Sequence, residues 1–445
     1  MRQYKKYERY KDSGVEWIGD IPEHWELRRI KFIGTLYSGN GFKEELQGKE
    51  EGDYPFYKVS DINGDGKLVT FSNNYVDKDD IVNNRWNIIP QNSILFAKIG
   101  EALKKNHRKI NAYSCLIDNN IAALKPHEIV LDYNYFYYYF SCINAEWFVN
   151  PGTLPSINNT YLKNFIALLP SKNEQKIIAN FLDQKTAEID GLIADKEKLI
   201  ELLQEKRQAI ITETVTKGLN PNVKMKDSGI EWIGEIPEHW RLSKIKYESL
   251  INNKTLSEST DDDYEIDYID ISSVTSIGEI DGVQSLNFKD APSRARRILY
   301  KGDTIVSTVR TYLKAIAFIE NAQSNLICST GFAVLTPLSK VVPKYLFYLM
   351  RSEKYVNEIV RRSVGVSYPA VNASDIGALE CALPDRDEQM YIVEYLDNCT
   401  TQINQLVNDI QAQIQKLKEY RQSLISEIVT GKIDVREFAD KVEVI

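Results

Sequence analysis

Along the C-terminal stretch, Leu396, Ile403, Ile410, Leu417 and Leu424 recur every seven residues, with Leu406, Val407, Ile414 and Ile428 interspersed. A stripe of that period is the seam of a coiled coil, so residues 385–431 are predicted as one long helix. A weaker copy lies mid-chain, where Leu182, Ile189, Leu203 and Ile210 keep the register and Lys196 interrupts it, predicting a second helix over 171–218. About 45 residues at 1.5 Å each make roughly 65 Å of helix. Elsewhere the pattern changes. SILFAKI, NIAALKP, DTIVSTV and GFAVLTP are short runs of β-branched and aromatic residues bounded by Gly, Asn and Pro, and read as strands. The Tyr- and Phe-rich run at 133–140 has two readings, a platform for stacking single-stranded bases or a helix facing the core. Its largely aliphatic partner at 345–350 favours the core.

These elements occur twice. KDSGVEWIGDIPEHWELRRIK, from Lys11, and KDSGIEWIGEIPEHWRLSKIK, from Lys226, are identical at 16 of 21 positions at an offset of 215. At an offset of 214, LPSKNEQKIIANFLDQKTAEIDGLI from Leu169 matches LPDRDEQMYIVEYLDNCTTQINQLV from Leu383. Between these markers the halves diverge, yet ILFAKIGEALKK (94–105) aligns with TIVSTVRTYLKA (304–315), and YFYYYF (135–140) with YLFYLM (345–350). GTLPSINNTYL, from Gly152, and VSYPAVNASDI, from Val366, share Pro155/Pro369 and Asn158/Asn372 and read as the return from body to helix. The chain thus divides into an N-terminal block (1–26), a body (27–170), a helix (171–218), a repeated opening block (219–241), a second body (242–384), a second helix (385–431) and a tail (432–445). The fold class is α+β: two mixed α/β bodies in pseudo-two-fold arrangement, separated by two long helices. If a two-fold axis relates the halves, those helices must form an antiparallel coiled coil; the alternative is that each packs on its own body or on another subunit.

A chain of 445 residues has room for two to four domains, and 43% hydrophobic with 27% charged residues is a globular composition. No stretch reaches 18 apolar residues and the N-terminus is polar, so a cytoplasmic location is expected. Cys115, Cys142, Cys328, Cys381 and Cys399 are far apart and form no CxxC pair, which argues for buried thiols over disulfides or a zinc cage. The net charge of −8 hides an uneven distribution. Residues 248–282 hold ten acids against Lys254, a local −9, so the remainder is +1. That acidic run is open to two readings, a loop turned away from DNA or a surface for a basic partner. Basic clusters stand at 98–109 and 289–314.

Catalytic signatures are missing. No stretch fits GxxxxGK[ST], the nearest being Gly64-Asp65-Gly66-Lys67, and neither a GxGxxG turn nor an Asn/Asp-Pro-Pro-aromatic run is present. Of the four histidines, His24 and His239 occupy the same repeated PEHW motif, where a packing role is expected, leaving His107 and His127.

The two copies of DSG(V/I)EWIG(D/E)IPEHW, each followed by a divergent body, an LP-x3-EQ motif and a heptad helix, resemble the specificity subunit of type I restriction-modification enzymes over nearly the whole chain. The resemblance implies two target recognition domains, each reading one half of a split site in double-stranded DNA, with the helices as spacer. It further implies two modification subunits carrying S-adenosylmethionine and adenine methyl transfer, and restriction subunits carrying ATP- and Mg-dependent translocation and cleavage. This chain would then be non-catalytic and without a cofactor or metal of its own. Two rivals stay open: an enzyme with a diverged nuclease in one body, and a coiled-coil adaptor without DNA readout. Because the bodies differ, the target is expected to be bipartite and asymmetric. Arg and Lys serve both phosphate and base contacts, so the candidates are Lys98, Lys104, Lys105, Arg108 and Lys109 in the first body, and Arg294, Arg296, Arg297, Arg310 and Lys314 in the second. Lys104 and Lys314 align, as expected for phosphate contacts, whereas Arg310 aligns with Gly100 and Thr308 with Lys98, as expected for sequence readers.

Overall fold

The computed structural model describes residues 4–64, 66–150 and 155–441. The chain forms two compact units, one combining residues up to Asp195 with those from Ala412 onward, the other spanning Lys196–Gln411. The division falls inside both long helices, Lys172–Lys217 and Arg386–Val429, so each helix is shared between the units.

The LP-x3-EQ motif starts both helices. Ser171 Oγ accepts the Glu174 N–H at 3.3 Å and Asp385 Oδ1 accepts the Glu388 N–H at 2.8 Å, as short oxygen-bearing caps do. Gln175 and Gln389 then tie each helix to its own body. Their amides donate to Pro170 O and Pro384 O, and their Oε1 atoms accept from Asp132 N at 2.7 Å and Val342 N at 2.8 Å. The helices end at Gly218 (φ +77) and Gly431 (φ +74), the left-handed terminus that glycine adopts without a Cβ penalty.

Within the first unit, Arg421 near the end of the second helix pairs with Asp190 of the first at 2.9 Å. Within the second unit, Gly218 at the end of the first helix lies beside Glu388 at the start of the second. Ile211 and Val215 share a core there with Ile392 and Leu396. The helices are therefore antiparallel. The predicted seam is buried at Leu182, Ile189, Leu396, Ile403, Ile410 and Leu424, while Leu406 is exposed.

The repeated opening block is bound to the helix starts. Glu174 accepts the Trp25 indole N–H at 3.1 Å and the Tyr7 hydroxyl at 2.8 Å, and pairs with His24 Nε2 at 2.9 Å. Glu388 repeats this with Trp240 at 3.3 Å and His239 at 2.8 Å. The histidines are thus structural partners of a carboxylate.

In the first body a five-stranded sheet runs in the order Gly34–Ser38, Ile121–Pro126, Ile94–Ala97, Arg108–Asn111, Leu68–Val69. The second body has a four-stranded counterpart, Ser249–Ile251, Phe332–Pro337, Thr304–Ser307, Ile316–Phe318. A second four-stranded sheet, Gln284–Asn287, Glu265–Ile269, Leu326–Ser329, Ala295–Ile298, carries Glu265 and Asp267 of the acidic run and Arg296 and Arg297 of the basic cluster on strands separated by Leu326–Ser329. Most of the acidic run lies in turns and connecting segments on either side of Glu265–Ile269, and several of its carboxylates are neutralised locally: Glu248 by Arg241, Asp263 by Lys289 and Asp270 by Arg294.

The aromatic run forms the helix Tyr133–Ser141, with Tyr135, Phe136, Tyr138, Tyr139 and Phe140 buried, which rules out a stacking platform. Tyr138 and Tyr348 anchor the two bodies' helices to Asp183 and Asp397 at 2.5 and 2.6 Å. Three cysteines are buried as expected, but Cys142 and Cys399 are only partly so. Beyond the second helix, Ile433 and Val435 are buried in the first unit and Asp434 N–H donates to Lys5 O at 2.9 Å, so the start of the tail is part of that unit. Among the described residues, no helix is long and apolar enough to cross a membrane.

Candidate nucleic-acid interface

In each body one sheet strand runs into a basic loop, and the return segment locks that loop in place. In the first, Gly100 N–H donates to Pro155 O at 2.9 Å and Ile157 N–H to Lys98 O at 2.9 Å. In the second, Arg310 N–H donates to Pro369 O at 2.7 Å and Val371 N–H to Thr308 O at 2.9 Å. The shared prolines therefore do more than lead back to the helix. Their segments make the same pair of backbone hydrogen bonds under two different sets of side chains, with Gly100 and Arg310 at one position and Lys98 and Thr308 at another, although ψ differs between Gly100 (−164) and Arg310 (+49).

The candidates separate by burial. Lys104 and Lys105 are exposed and Lys98 is half-buried. Arg108 and Lys109 leave the candidate set. Their strand Arg108–Asn111 is buried along its whole length. The Arg108 guanidinium lies 5.4 Å from the Phe96 ring and 4.7 Å from Phe140, with Asn106 Oδ1 and His107 O as acceptors, and burial pulls its pKa down to about 9. Lys109 is 3% exposed and donates to Gly66 O.

In the second body Arg296 and Arg297 are half-buried on Ala295–Ile298, Arg296 over the Phe288 ring at 4.4 Å and Arg297 donating to Thr255 Oγ1 at 3.1 Å. Arg294, Arg310 and Lys314 are exposed. Arg294 and Arg310 line one groove of about 540 Å³ with Asp270, Ser272, Leu313 and Tyr368. Asp270 positions Arg294: its Oδ2 accepts from Arg294 Nη2 at 2.7 Å and from the Tyr268 hydroxyl at 2.9 Å. Burial pushes the Asp270 carboxyl up, but the Ser272 N–H, Tyr268 and Arg294 together hold it below its ordinary value. Tyr368 carries Arg310, whose Cζ lies 4.7 Å from the ring centroid. Neither Asp270 nor Tyr368 stood out as a site residue in the sequence. The one available signal was Tyr368 standing directly before the shared Pro369.

The pairing of Lys104 with Lys314 is corrected. Strand register matches Ile94 with Ile110 and Thr304 with Phe318, so the turn in the first body is two residues longer. Lys104 lies inside the helical turn Glu101–Lys104 and pairs with Glu101 at 2.9 Å. Lys314 instead closes its turn at φ +56, as Asn106 does in the first body, also at φ +56.

Two segments, 22–202 and 237–416, each match the type I restriction modification DNA specificity domain family. Together they cover well over half of the chain. The chain belongs to this family. Each matched segment comprises one body with the start of its long helix. Among curated specificity-domain relatives, the chain is 24% identical to the type I restriction enzyme MjaVIII specificity subunit of Methanocaldococcus jannaschii, covering 98% of both chains. It is 21% identical to the type I restriction enzyme EcoDI specificity subunit of Escherichia coli, covering 96% of this chain and 93% of that one. The fold is shared with a chain from a solved structure on complex assembly and conformational transition of the type I R-M system, at a TM-score of 0.64 and 13% identity, covering 93% of this chain and 99% of that one.

Proposed function

We propose that this chain is the DNA-reading specificity subunit of a type I restriction-modification assembly, each body reading one half of a bipartite, asymmetric double-stranded site. The observation that carries the reading is the repeated specificity domain in which one pattern of backbone hydrogen bonds holds Gly100 in one body and Arg310 in the other. A common pattern with different side chains is what two readers of different half-sites require. Lys98, Lys104 and Lys105 serve the first half-site; Arg294, Arg296, Arg297, Arg310 and Lys314 serve the second. The chain itself performs no chemistry. Two modification subunits bring S-adenosylmethionine and the adenine methyl-transfer site, and restriction subunits bring ATP- and Mg²⁺-dependent translocation and cleavage. Methylome sequencing of cells carrying the complete system tests this. One methylated, asymmetric, two-part motif that disappears when this chain is deleted is expected. Mg²⁺-dependent DNA cleavage by the purified chain alone, or no sequence-dependent binding even with modification subunits, would overturn it.

A further inference from the structure

Arg310 is held in a backbone conformation that works against its residue type. At φ +51 and ψ +49 it occupies the left-handed region, which L side chains seldom adopt and which is enriched at functional sites. The first body makes the same backbone hydrogen bond from Gly100, which sits at φ +75 and ψ −164, so that position is filled there without an arginine and with a different ψ. The neighbouring position differs along with it. Where the second body has Tyr368 before Pro369, the first has Leu154 before Pro155, Leu154 itself lying outside the described residues. Arginine thus comes with an aromatic residue before the shared proline, and glycine with an aliphatic one.

The Tyr368 loop is itself tightly built. Val364 and Ala370 exchange backbone hydrogen bonds at 2.8 and 3.0 Å, and Gly365 turns at φ +119 where a Cβ would meet Tyr368 O at 3.1 Å. The ring is therefore presented by a closed hairpin whose far strand, through Pro369 O, also accepts the Arg310 N–H. One short segment fixes both the backbone and the guanidinium of Arg310.

We infer that the Arg310–Tyr368 pair reads a guanine in the second half-site, with Arg310 as the base-contacting residue and Tyr368 as its positioning residue; this rests on the DNA-reading function proposed above. A planar guanidinium resting on a ring face keeps its fork of N–H donors at the outward edge, and that fork matches O6 and N7 of guanine in the major groove. Phosphate is the poorer ligand for this pair. Both bodies meet phosphates whatever their sequence, so a phosphate anchor belongs at a position the bodies share, and the Arg310 and Tyr368 positions are where they differ. Arg294 stands in the same groove, but its bond to Asp270 gives it a separate anchor.

The test uses the full chain with its modification subunits and a duplex pool randomised across the binding length, followed by competition with single-site duplexes. The wild-type chain should select a motif with a guanine in the second half-site, and replacing that guanine by 7-deazaguanine should weaken binding about ten- to a hundredfold. Arg310→Gly, which copies the first body, should fold at least as stably, lose that preference and keep every other position. Tyr368→Leu should act in the same direction, and Tyr368→Phe, which keeps the ring, should preserve the preference. A selected motif unchanged by Arg310→Gly overturns the guanine assignment while leaving the DNA-reading function standing. Failure of the wild-type chain to select any motif overturns both. If Tyr368→Phe behaves like Tyr368→Leu, the positioning role is overturned.

Discussion

The Glu174 carboxylate accepts the indole N–H of Trp25 at 3.1 Å, across 149 positions of sequence. Glu388 and Trp240 repeat the bond at 3.3 Å. The PEHW motif supplies the donors and the helix start supplies the acceptor, so the two most repeated stretches of the chain are halves of one joint.

That joint is more deeply buried in the first unit, where the Glu174 side chain is 4% exposed against 26% for Glu388. Glu174→Ala leaves the Trp25 N–H and Tyr7 hydroxyl without their acceptor, and should cost on the order of 3 kcal/mol. Glu388→Ala should cost about 1 to 2 kcal/mol, because water reaches its partners more readily. Urea denaturation followed by tryptophan fluorescence measures both. Equal losses would contradict the burial argument.

Burial also separates two neighbouring cations. Lys105→Ala should weaken binding to all duplexes alike and reduce the slope of log affinity against log salt by about one. Arg108→Met, three residues on, should leave that slope unchanged, since its guanidinium sits between Phe96 and Phe140. Titration at several salt concentrations distinguishes them, and a reduced slope in Arg108→Met would return Arg108 to the interface.

Glu248 accepts from Arg241 Nη2 at 2.8 Å and Ser243 Oγ at 2.6 Å, and the Arg241 guanidinium holds its carboxyl below the usual 4.5 despite burial. A depressed carboxyl stabilises the fold above its unfolded pKa and loses that contribution as pH falls through the folded value. The second unit should therefore lose stability through this group as pH falls below the usual carboxylate value of 4.5. Glu248→Gln should start lower at pH 7 and fall less steeply over the same range. Urea midpoints against pH provide the measurement, and parallel curves would refute the assignment.

The two helices are expected to set the spacing between half-sites. Four residues inserted after Asp195 and four after Gln411 keep the apolar seam roughly continuous. The modified chain should select the same half-site bases with a longer unread spacer. A changed base preference at unchanged spacing would show that the helices do not act as a ruler.

The amino-acid sequence by itself determined the duplicated plan, the two long helices and the pairing of one body with each. Those features are written in local periodicity and in repeats such as DSG(V/I)EWIG(D/E)IPEHW, which need no knowledge of what lies opposite. Which charges face outward was decided only by the tertiary structure. Arg108 and Lys109 form part of a basic cluster in sequence, yet they enter a strand covered by Phe96, Phe140 and the Gly66 carbonyl, all distant along the chain. The match of Lys314 to Asn106 depends on strand register after a turn of different length, and the support of Arg310 by Tyr368 spans 58 positions. Periodicity states which face of an element is apolar. Burial of a particular cation depends on long-range packing, which brings carbonyls and rings to it from elsewhere and which no local pattern encodes.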